Sequence, residues 1–471
     1  MTEPTGFVPT LIQVAYLVAA VLFILGLKRL SSPKTARSGN MLGATGMLIA
    51  VGATLLHWEI VSFSWILVGV VIGASAGFIM ARFVKMTDMP QMVALLNGFG
   101  GAASALVAGD EYLRFATGGA VDLPLNVQAT IMLSVLIGAL TFSGSLVAFG
   151  KLQELVTEKA VSFPLQKVIN GILFAGAAAL AIYLVVTPAN LPLYIVLNVA
   201  ALIIGVMFVI PIGGADMPVV ISLLNSFSGL AASMTGFVLG NNVLIISGAL
   251  VGASGIILTK IMCDAMNRSL TNVLFGAFGA TVTATGAAAS SDGKSVRDIS
   301  AEDGAILLGY ARSVVFVPGY GLAVSQAQHQ VRELADLLQA RGVDVKYAVH
   351  PVAGRMPGHM NVLLAEANVP YPQLIEMDEI NPEFPRTDVA VVIGANDVVN
   401  PAARHDKNSP IYGMPILDVD YAKTVIVMKR SMNPGFAGID NELFFGDNTR
   451  MLFGDARKSL TALIAQVKAG I

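Results

Sequence analysis

Charged residues and cysteine are scarce in this sequence. Only 13% of its 471 residues are charged, whereas a soluble domain usually carries about 25%. Together with a hydrophobic content of 55%, this shortage excludes an ordinary soluble globule and a disordered chain. The single cysteine, Cys263, excludes a disulfide framework within the chain and a metal site built from clustered cysteines. The net charge of −2 lacks the basic excess of a nucleic-acid binder, so we expect no nucleic-acid partner. We also expect no bound metal.

The few charges are distributed unevenly along the chain. Residues 1–270 hold 22 charged side chains, and the shorter remainder holds 38. The stretch 271–293 is rich in small and polar residues, which is typical of a linker. The sequence therefore predicts a multi-pass α-helical membrane domain over 1–270, a linker over 271–293 and a soluble domain over 294–471.

Nine apolar runs in the first part are long enough to cross a lipid bilayer, which takes roughly 20 residues each. They lie near 8–27, 40–56, 62–81, 92–109, 129–149, 168–187, 192–211, 218–239 and 243–262. The loops on one side carry nine Lys and Arg residues: Lys28, Arg29, Lys34, Arg37, Arg82, Lys85, Lys151, Lys159 and Lys167. The other side carries only Arg114. The basic side is predicted to be cytoplasmic, with the N-terminus outside and the C-terminal domain in the cytoplasm.

A sequence repeat marks two of these spans. Residues 88–103 and 216–231 are identical at nine of 16 positions, and each copy begins with Asp-Met-Pro on the predicted cytoplasmic side. We therefore expect two parallel helices, with the aspartate of each copy capping the helix and the proline in its first turn. Asn97 and Asn225 fall at matching depth in the two helices. Such a buried amide either holds helices together or lies on an ion route.

The second part of the chain alternates strand and helix patterns. Strands are predicted at 313–317, 343–349, 389–393 and 424–428, and an amphipathic helix is predicted over 324–341. Strands that alternate with helices are typical of a parallel sheet. The sequence therefore predicts a Rossmann-like α/β domain.

A glycine motif and a basic strand end indicate the ligand of this domain. Gly319-Tyr320-Gly321 stands between the first strand and the helix, as in dinucleotide-binding proteins, where a helix N-terminus holds the pyrophosphate. The second strand ends at His350 without the carboxylate that usually binds the ribose of NAD. Lys429-Arg430-Ser431 follows a later strand and can hold a 2′-phosphate, although a plain basic strand end is the alternative. Together these features favour NADP over NAD.

Several stretches of the sequence match a single family. They are residues 216–226, 260–268, 319–328, 350–367, 394–397 and 429–431. Through them the chain resembles, over its entire length, the beta subunit of proton-translocating NAD(P)+ transhydrogenase. The resemblance implies reversible, Si-specific/Re-specific hydride transfer between NADPH and NAD+, coupled to proton translocation across a bacterial inner membrane. A transporter gated by a cytoplasmic NADP-sensing domain is the alternative.

The resemblance also implies a division of labour between subunits. This chain would bind NADP(H), and a separate alpha subunit would bind NAD(H) and add membrane helices, in a dimer of alpha–beta units. Because the two cofactors carry the hydride, we expect no catalytic side chain for that step. The NADP(H) contacts implied are Gly319, Tyr320, Gly321, Val352, Ala353, Gly354, Arg355, Met356, Pro357, Gly394, Ala395, Asn396, Asp397, Val398, Gly413, Met414, Lys429, Arg430, Ser431, Gly435, Phe436, Asp455 and Ala456. The implied proton-coupling residues are Asn97, Ser145, Asp216, Asn225 and Gly255.

Two positions depart from the pattern of the family. Asn97 stands where many relatives have a membrane histidine, and an amide cannot release a proton. No acid, base or histidine lies in the middle third of any predicted span, so the titrating group is predicted on a partner chain; His57, at the outer end of a span, is the rival. The residues before and at Phe436 replace a Gly-Tyr pair, so we expect a nucleotide lid that differs in detail.

Overall fold

A computed structural model of the chain describes residues 7–30, 32–56, 63–118, 123–157, 160–187, 190–275, 295–356, 358–435 and 437–470. The chain forms two compact units, Met1–Thr259 and Lys260–Ile471. Most of the predicted linker lies outside the described residues. The domain boundaries at 270 and 293 therefore stay a prediction.

Within the described part of the chain, nine helices are long and apolar enough to cross a membrane. They are α1 (Phe7–Leu30), α2 (Pro33–Leu55), α3 (Phe63–Phe83), α4 (Met89–Ala116), α5 (Leu125–Leu152), α6 (Gln166–Val186), α7 (Leu191–Val209), α8 (Met217–Leu239) and α9 (Asn242–Ala265). Each overlaps one of the predicted apolar runs, so the prediction of nine spans is confirmed.

Helix α5 lies at the centre of the core of the membrane unit. Its apolar residues, among them Ile131 and Val135, are buried together with residues of α4, α7 and α8. Glycines bring the backbones together: a Cβ atom added to Gly101 of α4 would lie 2.7 Å from the carbonyl oxygen of Gly138 on α5. Small residues at such crossings are how membrane helices pack closely. The cluster of α4, α5, α7 and α8 therefore holds the repeated helices in place.

The two copies of the repeat fold alike. In each, a 3-10 turn ends at the aspartate, Met86–Asp88 and Gly214–Asp216, and the helix that follows carries the proline in its first turn. Neither aspartate side chain caps its helix, so that expectation was wrong. The reason is the backbone: Asp88 (φ −97°, ψ 2°) and Asp216 (φ −91°, ψ −2°) continue the 3-10 turn instead of adopting the extended conformation of a capping residue.

The direction of the repeated helices follows from their contacts. Asn97 and Ser104 of α4 contact Ile221 and Thr235 of α8, so the residue numbers rise together. Helices α4 and α8 therefore run parallel, as the repeat predicts.

The second unit contains a six-stranded parallel sheet. Its strands are β1 (Ser313–Pro318), β2 (Asp344–Val349), β3 (Leu374–Glu376), β4 (Val389–Ile393), β5 (Thr424–Lys429) and β6 (Thr449–Phe453), in the order β3-β2-β1-β4-β5-β6. The four predicted strands and the Rossmann-like arrangement are confirmed. The pattern did not predict β3, which has only three residues, or β6, an edge strand interrupted by Arg450.

The helices of this unit are α10 (Leu270–Phe275), α11 (Ala301–Tyr310), α12 (Tyr320–Val324), α13 (Gln328–Ala340), α14 (His359–Glu366), α15 (Met377–Ile380), α16 (Ala402–His405) and α17 (Ala456–Lys468). The helix predicted over 324–341 corresponds to α13, which begins later than predicted, and the short helix α12 precedes it. Gln326 has a φ of +49°, and Ala327 N–H donates to the carbonyl of Leu322, which closes α12 with a Schellman-type cap. The helix that begins within the glycine motif therefore has only five residues, too short for the helix dipole that the motif predicts.

Candidate functional site

The predicted nucleotide contacts follow the carboxyl ends of the strands. Because all six strands are parallel, these ends lie along one edge of the sheet. The strand order reverses between β1 and β4, which are the strands followed by Gly319 and Gly394. In open α/β sheets, ligands bind in the crevice at such a reversal. The sheet therefore presents a candidate nucleotide site at the β1–β4 edge.

Three glycines bring the two turns at this reversal into backbone contact. Gly321 N–H donates to the carbonyl oxygen of Gly394 at 2.9 Å. A Cβ atom added to Gly319 would lie 2.4 Å from the Cα of Ala395, and one added to Gly394 would lie 2.4 Å from the Cα of Gly321. Gly394 also has a φ of +65°. No side chain fits at these positions, so the floor of the crevice consists of backbone atoms alone.

The loop from Val352 to Met356 lies beside the first turn. The guanidinium carbon of Arg355 lies 4.6 Å from the ring centroid of Tyr320. The backbone N–H of Arg355 donates to His359 Nδ1 at 3.0 Å. Gly354, at φ +109°, leaves room for the same imidazole. His359, the first residue of α14, thus fixes the loop against the first turn.

Two buried histidines in this region are neutral. Burial lowers the pKa of His350 and of His359 from 6.5 to about 4. His350 Nδ1 accepts the N–H of Val352, so its Nε2 is the donor to the carbonyl of Pro415 at 2.8 Å. That bond joins the end of β2 to the predicted contacts Gly413 and Met414, which directly precede Pro415.

The segment after β5 folds over the turn after β4. Ala437 N–H donates to Asp397 Oδ2 at 3.0 Å, and Asn441 Nδ2 donates to the carbonyl of Asn396 at 3.0 Å. A Cβ atom added to Gly435 would lie 2.6 Å from Asp397 Oδ1. Two of the predicted contact segments, 394–398 and 429–436, are thereby brought together. Phe436 and Pro357 lie outside the described residues.

The basic residues at the end of β5 differ in their surroundings. Lys429 donates to the carbonyl of Asn433, lies 5.2 Å from the ring centroid of Phe444, and has its pKa lowered by burial. Arg430 and Ser431 are exposed. The neighbouring strand β6 is followed by Asp455, whose carboxylate caps α17 by accepting the N–H of Lys458 at 3.2 Å. Of these two cations, Arg430 is therefore the exposed one, while Lys429 braces its own loop.

The site also contains buried polar atoms that a ligand can satisfy. Within the described residues, neither Asn396 Nδ2 nor His359 Nε2 has a hydrogen-bond partner. His359 Nε2 carries the proton because Nδ1 is an acceptor, so both atoms are donors. An unsatisfied buried donor costs about 1–3 kcal/mol. Two such donors beside a glycine-lined crevice fit the oxygen-rich, anionic groups of a dinucleotide. The sequence alone does not indicate a role for His359, because the burial of this residue depends on tertiary packing.

The predicted proton-coupling residues lie along helices of the membrane unit. Asn97 of α4 donates through Nδ2 to the carbonyl of Ile221 on α8 at 3.3 Å, and both Asn97 and Ser145 of α5 are buried. Ser145 faces Gly98, where an added Cβ would lie 3.0 Å from the Ser145 Cβ. Asn97 and Ser145 thus lie where α4, α5 and α8 meet.

Asn225 lies on the face of α8 that contacts α4. It is one turn after Ile221 and three residues before Ser228, and these two residues contact Asn97 and Gly100 of α4. At the interface between α8 and α9, a Cβ atom added to Gly255 of α9 would lie 2.8 Å from the backbone nitrogen of Ser226 of α8. The two repeated asparagines therefore share one helix–helix contact.

Comparison with known proteins identifies the family. The family model described as NAD(P) transhydrogenase beta subunit matches residues 12–466. The chain is 51% identical over 458 residues to the NAD(P) transhydrogenase subunit beta of Rhodospirillum rubrum, covering 97% of this chain and 98% of the relative. A sequence of the same name from a designated strain of that organism matches with the same values. The chain is thus a multi-pass membrane protein with an α/β domain, and it belongs to the NAD(P) transhydrogenase beta subunit family.

Proposed function

We propose that this chain binds NADP(H) at the β1–β4 edge of its sheet and couples hydride transfer between NADPH and NAD+ to proton translocation. The observation that carries the proposal is the backbone contact among Gly319, Gly321 and Gly394 at the point where the strand order reverses. NADP(H) would supply the hydride. The protein's own groups would position it: the bare glycine turns receive the pyrophosphate, and the donors of Asn396 and His359 bind its oxygens.

The cofactor would be enclosed from both sides of the crevice. On one side, the 352–356 loop and Tyr320 cover the site, with Arg355 stacked on the tyrosine ring. On the other side, the chain after β5 packs against Asn396 and Asp397 through Gly435, and Ala437 and Asn441 donate hydrogen bonds to the same turn. Arg430, exposed at the end of β5, would bind the 2′-phosphate that distinguishes NADP from NAD.

We infer the rest of the enzyme from the resemblance to the family and from the distribution of charge. An alpha subunit would bind NAD(H) and add membrane helices, in a dimer of alpha–beta units. The N-terminus would lie outside a bacterial inner membrane and the sheet domain in the cytoplasm, as the distribution of Lys and Arg predicts. Asn97, Ser145, Asp216, Asn225 and Gly255 would form the proton-coupling helices.

A nucleotide titration tests the proposed cofactor. Arg430→Ala, alone or with Lys429→Ala, is expected to weaken NADPH binding by the full-length chain at least tenfold, since a charge-assisted contact contributes roughly 1.5–3 kcal/mol. NADH binding should change far less. Arg386→Ala is the matched control, because this exposed arginine precedes β4 at the opposite edge of the sheet. An equal loss for NADPH and NADH would refute the assignment.

A further inference from the structure

A lysine lies buried at the end of the central membrane helix. The sequence predicts Lys151 in a basic loop, but the structure has it in the last turn of α5 with only 1% of its surface exposed. Its Nζ donates to the carbonyl oxygens of Ile210 and Ile212, at 2.6 and 2.8 Å. A lysine at the end of a span normally extends its ammonium into water. Here the ammonium is bound instead by backbone carbonyls of another segment.

That segment leads directly into the second copy of the repeat. Helix α7 ends at Val209, so the carbonyls of Ile210 and Ile212 lie in the connection to α8, a few residues before Asp216. Carbonyls at the carboxyl end of a helix carry partial negative charge and favour a cation. The Ile210 carbonyl also accepts the N–H of Val161 at 3.3 Å. Lys151 is thus a cation supplied by one helix to the end of another.

The same turn of α5 also holds the first copy of the repeat. Gln91, three residues after Asp88, is buried and donates through Nε2 to the carbonyl of Leu152 at 3.2 Å. The residues Lys151 and Leu152 therefore fasten the starts of both repeated helices, α4 and α8. The two interactions differ, because the hydrogen bond from Gln91 is neutral, whereas those from Lys151 to the connection before α8 involve a charged donor.

We propose that Lys151 is a positioning residue for coupling: its ammonium holds the α7–α8 connection, and with it Asp216 at the start of α8, in the arrangement that proton translocation requires. This inference rests on the proposed function above. A change at the start of α8 would have to break or rebuild a pair of charge-assisted hydrogen bonds. The connection would therefore have one well-defined position, which a neutral side chain of similar length cannot impose.

Hydrogen exchange tests the positioning independently of activity. In the purified full-length chain, Lys151→Met is expected to speed amide exchange across residues 209–217 about tenfold, because the charge-assisted bonds are lost. Lys151→Gln, a neutral donor, should give a smaller increase. Lys85→Met is the matched control, since Lys85 is exposed just before the first repeat. Exchange in this segment unchanged by Lys151→Met would overturn the proposed role.

Proteoliposomes containing the alpha subunit test the link to coupling. Lys151→Met should lower the number of protons moved per hydride transferred, while hydride transfer between bound nucleotides and NADPH affinity persist. Lys151→Arg, which keeps the charge, should restore part of the ratio and serves if the methionine variant assembles poorly. A purely structural role would reduce the amount and melting temperature of the enzyme with the ratio intact, and that result would contradict the proposal. If the wild type itself moves no protons, the proposed function fails, whereas the exchange result still decides the positioning.

Discussion

Gly394 combines two constraints at the residue scale. Its φ of +65° lies in the left-handed region, and an added Cβ would lie 2.4 Å from the Cα of Gly321. Gly342 has a similar φ of +86°, but no atom lies within 4 Å of its Cβ position. Comparing substitutions at Gly394 and Gly342 therefore separates the free-energy cost of a left-handed backbone from the cost of a steric clash.

Gly394→Ala is expected to destabilise the sheet unit by roughly 2–5 kcal/mol, the sum of a left-handed penalty and overpacking. It should also weaken NADPH binding by more than tenfold, because the turn would move away from Gly321. Gly342→Ala should cost only about 1–2 kcal/mol and leave binding intact. Calorimetric melting and NADPH titration of the full-length chain measure both effects. Equal effects of the two substitutions would show that the close approach does not matter.

His350 makes the stability of the sheet unit dependent on pH. Its pKa falls from 6.5 to about 4 in the folded protein, so the unfolded chain takes up a proton first as the pH falls. The contribution of the neutral His350 to the free energy of unfolding is therefore complete above pH 6.5. It falls by roughly 3 kcal/mol between pH 6.5 and about 4, at 1.36 kcal/mol per pH unit. His359 shares this window.

His350→Gln keeps a donor for the carbonyl of Pro415 but cannot titrate. We expect calorimetric melting of this variant to depend less steeply on pH between 4 and 6.5, with the remaining slope due to His359. A slope identical to that of the wild type would mean that His350 is protonated as readily in the folded state as in the unfolded chain.

Single residues also show how far the sequence predicts the site. The close approach of Gly319 and Gly321 follows from the strand–turn–helix motif, since a local pattern specifies a local turn. The unsatisfied donors of Asn396 and His359 could not be predicted, because satisfaction of a buried polar group depends on segments far apart in sequence. The sequence predicts Lys151 in a loop for the same reason: the carbonyl groups that bury its ammonium are about 60 residues away in the sequence.

At the scale of elements, hydrophobic run length predicts all nine spans, and the strand pattern predicts the four central strands. The pattern does not predict α12 or the later start of α13, because the break between them depends on the left-handed backbone of Gln326. The repeat predicted two parallel helices correctly. Its aspartates do not cap these helices, because their backbone continues the preceding 3-10 turn.

Asp216→Asn and Asn225→Ala are expected to reduce proton pumping and the reverse reaction together, with NADPH binding unchanged. The reason is that both lie on α8, at its start and at its contact with α4. Asn198→Ala is the matched control, since Asn198 of α7 donates to the carbonyl of Tyr194 within its own helix at 2.9 Å. Reconstituted vesicles with a pH-sensitive dye, assayed beside a thermal melt, make the measurement. Packing roles alone would lower the melting temperature and leave pumping per turnover intact.

At the scale of the whole molecule, the chain has to work with a partner. Asn97 and Asn225 only form hydrogen bonds, so a titrating group near the membrane centre is expected on the alpha subunit, packed near Asn97. His57, the rival within this chain, lies outside the described residues. His57→Asn should leave substantial pumping, whereas neutralising the membrane acid or histidine of the alpha subunit should abolish it. An alpha subunit with no titratable residue in its spans would leave His57 as the carrier.

The equilibrium of the reconstituted alpha–beta enzyme under an imposed proton gradient tests the central claim most directly. A gradient of about 150 mV supplies roughly 3–4 kcal/mol per proton, so the ratio of NADPH and NAD+ to NADP+ and NADH should shift a few hundredfold and return when an uncoupler is added. Hydride transfer that reaches the same nucleotide ratio with and without the gradient would contradict the account.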